Sequence, residues 1–296
     1  MSYFNLLPSE INEIIISYLP SVDEVKTLLN TFNFLRVDWC IVHQYHFGLY
    51  KKIILNEYIN KLSIQSLINL LSMKYTVDEL LDQKELDLND DQLPKAKVPP
   101  EIGNLTNLQY LYLASNKLTQ IPSEIGNLIS LNKLNLSYNQ FTQIPPEIGR
   151  LNNLQVLDLS SNQLIQVPSE IGNLVNLKYL YLSYNQLTQV PPEIGRLNNL
   201  QVLDLSSNQL IQVPKEIGAL MSLRELRFNN NQLTQVPPEI GNLINLKYLY
   251  LSLNQLVRVP KDIGNLINLR VLDLSNNQLT EIPAEIRKII NIIIYE

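Results

Sequence analysis

Cysteine, tryptophan, histidine and glycine are all scarce in this 296-residue chain: one Cys, one Trp, two His and nine Gly. The single Cys40 cannot close an internal disulfide, which excludes a disulfide framework and leads us to expect a reducing compartment, the cytoplasm. His43 and His46, with Cys40 beside them, fall short of the ligand set of a zinc site, so no metal and no cofactor are expected. Charge of one sign is also lacking. With 23 basic against 28 acidic residues, a net charge of −5 and no Lys/Arg run, the chain has no electrostatic footing for nucleic acid. No uncharged apolar run approaches the roughly 18 residues that span a bilayer, and the opening MSYFNLLPSE carries no positive stretch ahead of an apolar one. Neither a membrane partner nor a secretory leader is expected. Phosphate loops, dinucleotide fingerprints and nucleophile elbows are missing too, so no catalytic residue is assigned and the chain is read as not an enzyme.

What is present is periodicity. Asn116, Asn139, Asn162, Asn185, Asn208, Asn231, Asn254 and Asn277 follow one another every 23 residues, as do eight of the nine glycines, from Gly103 to Gly264. Each Asn closes a phrase L-x-x-L-x-L-x-x-N-x-L, and a further unit with Asp91 in the Asn place precedes them. In LQYLYL (108–113) Leu111 and Leu113 alternate with Tyr110 and Tyr112, so a short strand turns its leucines inward and its other side chains outward. The Asn side chain is placed to satisfy backbone groups of adjoining coils. Pro122 bends the return path, Glu124-Ile125-Gly126 suits a short helical turn ended by glycine, and Leu128 returns to the core.

This pattern resembles the leucine-rich repeat family over about residues 83–296, and the I/V-P-x-E-I-G-x-L half is similar to the 23-residue intracellular class that includes Ras-suppressor-type proteins. The resemblance implies an α/β solenoid of about nine units plus a partial last one, with short parallel strands on its concave face. Ile286, Ile289 and Ile292 continue the core positions, and the chain ends in the next strand with an apolar edge.

Outward strand positions form two columns: Glu85, Tyr110, Lys133, Val156, Tyr179, Val202, Glu225, Tyr248 and Val271 in one, and Asp87, Tyr112, Asn135, Asp158, Tyr181, Asp204, Arg227, Tyr250 and Asp273 in the other. Tyrosine on an open rigid face is a frequent protein-contact residue, although the same side chains could simply shield the sheet. From Tyr110 onward, the tyrosines and charged members of these columns, joined by Tyr138, Tyr184 and Asn230 three places further along, are the candidate partner-binding residues. The segment PPEIGRLNNLQVLDLSSNQLIQVP occurs at both 145–168 and 191–214, so specificity is expected in deviant coils such as LRELRFNNN (223–231). Arg227 lies one coil from Asp204, where a lateral ion pair is the plain structural expectation.

The first residues differ from the repeat. LPSEI (7–11) shares letters with IPSEI (121–125), but an amphipathic stripe of Ile11, Ile14, Ile15, Tyr18 and Leu19 follows it, with no glycine and no strand phrase. Helix-start capping boxes are read at Ser21–Glu24 and Thr76–Glu79. Residues 5–48 resemble the F-box family through LP-x-E-I and I-I-x-x-Y-L. That resemblance implies a Skp-type adaptor of a cullin ubiquitin ligase as partner, with Leu7, Pro8, Ile11, Ile15 and Leu19 facing it. Richness in Asn, Ile and Tyr is similar to that of proteins from AT-rich genomes such as giant viruses and their amoebal hosts, which implies a host–virus setting.

The organisation expected is an F-box-like helical module over 1–50, a helical bridge and cap over 51–82 and the solenoid over 83–296. The function expected is a substrate-recognition subunit that binds a protein target on the repeat face. The alternative is a scaffold or inhibitor of a signalling protein whose helices only cap the solenoid.

Overall fold

A strand of three residues recurs wherever the phrase L-x-x-L-x-L occurs, because alternation can bury only its central leucine. In the computed structural model, which describes residues 76–90, 97–290 and 292–296, these strands are β1 (Glu85–Asp87), β2 (Tyr110–Tyr112), β3 (Lys133–Asn135), β4 (Val156–Asp158), β5 (Tyr179–Tyr181), β6 (Val202–Asp204), β7 (Glu225–Arg227), β8 (Tyr248–Tyr250), β9 (Val271–Asp273) and β10 (Ile293–Tyr295). They form one parallel sheet in chain order. Equivalent positions stand opposite one another, as in Leu134↔Leu157 and Leu157↔Leu180. The final step is one residue short: Ile293 pairs with Val271, 22 positions earlier. The expected last strand is therefore present at a reduced spacing.

Behind the sheet runs one continuous core of stacked leucines and isoleucines, in which Phe141 and Phe228 fill positions that are leucine in other coils. After each of β1 to β8 the chain returns through an extended proline into a five-residue 3-10 turn, such as Pro146–Arg150, and the neighbouring turns stack. Here the glycine reading is corrected. Gly149 lies within the turn, and no glycine of the described residues has positive φ. Glycine is needed for close approach: a Cβ on Gly149 would stand 2.5 Å from the Glu170 carbonyl oxygen and 2.8 Å from its Cβ. The left-handed corner falls instead on the residue before each ladder Asn, including Tyr138, Tyr184, Asn230 and Leu253 at φ 54–58°.

The Asn ladder forms as expected. Asn185 is buried, donates to the carbonyls of Leu159, Leu182 and Ser183, and accepts from the Leu164 N–H. Each such side chain thus joins neighbouring coils at the corner where strand pairing stops. At the start of the described residues, α1 (Val77–Leu81) carries the capping box: the Glu79 N–H donates to Thr76 Oγ1 and the Thr76 N–H to Glu79 Oε2. The Thr76 N–H and hydroxyl both donate to Glu79 Oε2, which favours the ionised carboxylate and lowers the Glu79 pKa. At the far end, α2 (Ala284–Arg287) buries Ile286, Ile289 is buried just beyond it, and Ile292 packs partly against the core. Ile290, Ile293 and Tyr295 are exposed. The F-box-like segment, the helices expected between 40 and 75, Cys40, His43, His46 and Asp91 lie outside the described residues. No helix among the described residues is long and apolar enough to cross a membrane.

Candidate functional site

Two side chains of every strand point away from the core, so the open face of the sheet is an array whose spacing is set by strand pairing, about 4.8 Å per coil. The structure brings together the strand residues expected there. Tyr110, Lys133, Tyr179, Glu225 and Tyr248 lie in one column, and Tyr112, Asp158, Tyr181, Asp204, Arg227, Tyr250 and Asp273 in the other. Tyr138, Tyr184 and Asn230 lie outside the strands, at the left-handed corners, where Tyr138 and Tyr184 are about two-thirds exposed (66% and 65%). A bulky exposed residue in that conformation gains little packing to offset its backbone cost of roughly 1 kcal/mol.

The face is acidic. Six carboxylates (Glu85, Asp87, Asp158, Asp204, Glu225, Asp273) share the outward positions with two cations, Lys133 and Arg227. The aspartates are braced: Asp158 Oδ1 accepts from the N–H and Oγ–H of Ser160 at 3.0 and 2.6 Å, and Asp204 Oδ1 from those of Ser206 at 2.9 and 2.6 Å. The Asp273–Ser275 and Asn135–Ser137 pairs repeat the arrangement. Both cations are engaged within the chain. Lys133 Nζ lies 5.1 Å from the Tyr112 ring centroid and the Arg227 guanidinium 5.2 Å from that of Tyr250. The lateral Arg227–Asp204 ion pair is not formed, although the two residues are opposite in register. Arg227 donates through Nε to Glu225 of its own strand and pairs with it through Nη2. Two outward residues of one short strand, i and i+2, share a face and reach each other without crossing between coils.

These surroundings raise the phenol pKa of Tyr112, Tyr181 and Tyr250. Burial is the largest cause in each. For Tyr181 the next are Asp158, Tyr179, Glu225 and Asp204, whereas at Tyr250 Arg227 acts in the opposite direction.

Two features escaped the sequence reading. A second, exposed Asn ladder precedes the strands: Asn153, Asn176, Asn199, Asn245 and Asn268 each donate at 2.8 Å to a carbonyl 24 residues earlier. Its signal was an Asn repeating at 23-residue spacing, interrupted by Ser130 and Ser222. At Ser222 the surface opens into a shallow depression lined by Gln201, Arg224, Asn245, Lys247 and Asn268. Among the described residues no group of three or more His, Cys, Asp or Glu could hold a metal ion.

Family models described as leucine-rich repeat region and leucine rich repeat match residues 168–243 and residues 106–164, 129–187 and 221–279 respectively. No curated protein matches the chain. Among solved structures, an LRR protein of Leptospira interrogans is 40% identical with a TM-score of 0.68, over 74% of this chain and 61% of that one. The plant peptide hormone receptor RGFR1 in complex with RGF2 is 32% identical with a TM-score of 0.61, over 74% and 40%. A plant ice-binding protein is 31% identical with a TM-score of 0.58, over 70% and 69%. The chain therefore spans about three-fifths of the length of the first of these and two-fifths of the second.

Proposed function

Since the chain belongs to the leucine-rich repeat family, we propose that it is a non-enzymatic protein-interaction adaptor whose open sheet face binds a protein or peptide partner. Leucine-rich repeat proteins act in protein–protein interaction, and the structurally similar peptide hormone receptor was solved in complex with RGF2. The observation that carries the reading is the face itself: six tyrosines and eight charged side chains at outward positions of nine paired strands, β1 to β9. Aromatic and charged groups on such a rigid array lose little entropy on contact. Tyr181→Ala combined with Arg227→Ala is expected to weaken partner capture by the full chain while leaving its circular dichroism and melting curve in place. Unchanged capture would move the interface off this face.

The finer reading is a substrate-recognition subunit of a cytoplasmic Skp-cullin-F-box ligase. It rests on the resemblance of residues 5–48 to the F-box family. Wild-type chain should retain a Skp-type adaptor in a pull-down, and Leu7→Ala with Pro8→Ala should release it. A wild-type chain that retains none, where a known F-box protein does, refutes the ligase role and leaves the repeat face standing as a scaffold surface.

A further inference from the structure

Three tyrosines occupy the second outward column: Tyr112, Tyr181 and Tyr250. Two of them carry a cation from an adjoining strand of their own chain, Lys133 over Tyr112 and Arg227 over Tyr250. Tyr181 differs. Its paired strands β4 and β6 both read Val-Leu-Asp, so the outward residues beside it are Val156, Asp158, Val202 and Asp204, none of them a cation. The 46-residue duplication produces this symmetry, because copies of one coil lie on either side of the Tyr-Leu-Tyr coil.

Asp204 adds a second, independent observation. It is only 8% exposed, and a carboxylate so far out of water needs a charged or hydrogen-bonding partner. Ser206 satisfies its Oδ1; its Oδ2 receives no hydrogen bond among the described residues. Arg227, the cation opposite it in register, pairs with Glu225 and lies over the Tyr250 ring, and acts on Asp204 through its charge without an ion-pair contact.

We propose that Tyr181, flanked by Asp158 and Asp204, receives a basic side chain of the partner, arginine or lysine, in the way Tyr250 receives Arg227 within the chain. This proposal rests on the reading of the open face as the interface, and it narrows the partner to one that presents a basic residue to the middle of the sheet. The guanidinium or ammonium lies over the ring and between two carboxylates, whose strands stand roughly 10 Å apart across the intervening strand. Ring quadrupole and carboxylate charge act together, and Ser160 and Ser206 hold the aspartates in place beforehand.

The test needs no identified partner. The full chain is labelled with 3-fluorotyrosine, and the Tyr181 resonance is assigned by its loss in Tyr181→Phe. The probes are N-acetyl-arginine methylamide and its citrulline counterpart, alike in shape but uncharged. The arginine probe should shift the Tyr181 resonance saturably, and the citrulline probe should not. Asp158→Asn with Asp204→Asn should weaken the arginine response about tenfold. That variant keeps the Oδ1 acceptors for both serines, and Asn135 already makes the same two bonds to Ser137, so the corner stays folded. An equal response to citrulline, or an arginine response unchanged in the double variant, overturns the proposal. The two readings fail separately: a failed titration with capture still sensitive to Tyr181→Ala and Arg227→Ala removes only the cation site. Capture indifferent to those substitutions removes the interface, while the titration still reports on Tyr181.

Discussion

Gly149 lies so close to Glu170 of the next coil that a methyl group in place of its hydrogen would stand 2.5 Å from the Glu170 carbonyl oxygen. The obstructing atoms are backbone and Cβ, which cannot rotate aside as a long side chain could. Gly149→Ala in an isolated helical turn would gain about 1 kcal/mol from reduced chain entropy. Here it forces two coils apart, and a loss of about 2–3 kcal/mol in chemical denaturation is expected. A raised midpoint would show that the coils are not packed this tightly.

The two asparagine ladders should differ in weight. Asn185→Ala leaves the buried Leu164 N–H and the carbonyls of Leu159, Leu182 and Ser183 without this partner. A destabilisation of about 3 kcal/mol follows from unsatisfied buried groups. Asn176→Ala removes one exposed bond to the Asn152 carbonyl, which water can replace, so the loss should stay below about 1 kcal/mol. Melting curves of the two variants check the ranking. Equal losses would contradict the burial argument.

Strand positions, core leucines and the buried ladder were legible in the sequence because each follows from a fixed period. Leu157 must face inward and Asp158 outward once the phrase is aligned. Contacts between coils were less legible. Spacing alone fits glycine equally well as a helix terminator or as a thin spacer, and only the position of Glu170 decides between them. Arg227 could reach Asp204 or Glu225. The choice depends on side-chain geometry within β7, and period carries no information about that.

Strain at the corners gives a prediction of opposite sign. Leu253 is exposed at φ 55°, a conformation that asparagine tolerates far better than a large apolar side chain. Leu253→Asn should stabilise the chain by about 1 kcal/mol. Tyr184→Asn, at φ 54°, should stabilise similarly, and if Tyr184 belongs to the interface it should also weaken partner capture. A stabilised variant with full capture would leave Tyr184 without a role in binding.

Tyrosine ionisation tests the electrostatics of the face directly. Tyr112, Tyr181 and Tyr250 all have pKa values raised above the ordinary 10.0, with burial as the main cause. The folded chain thus holds these protons more tightly than the unfolded chain does. Their stabilising contribution is complete below pH 10 and is lost as pH rises through the unfolded and then the folded values. In a phenolate absorbance titration these three rings should ionise above pH 10, and Tyr181→Phe should remove one of these transitions. Above pH 10, wild type should lose stability more steeply than Tyr181→Phe. Asp158→Asn with Asp204→Asn should lower the Tyr181 pKa only part of the way back, since burial remains when the two charges are gone. A return all the way to the ordinary value would mean that the carboxylates, and not desolvation, dominate at this ring.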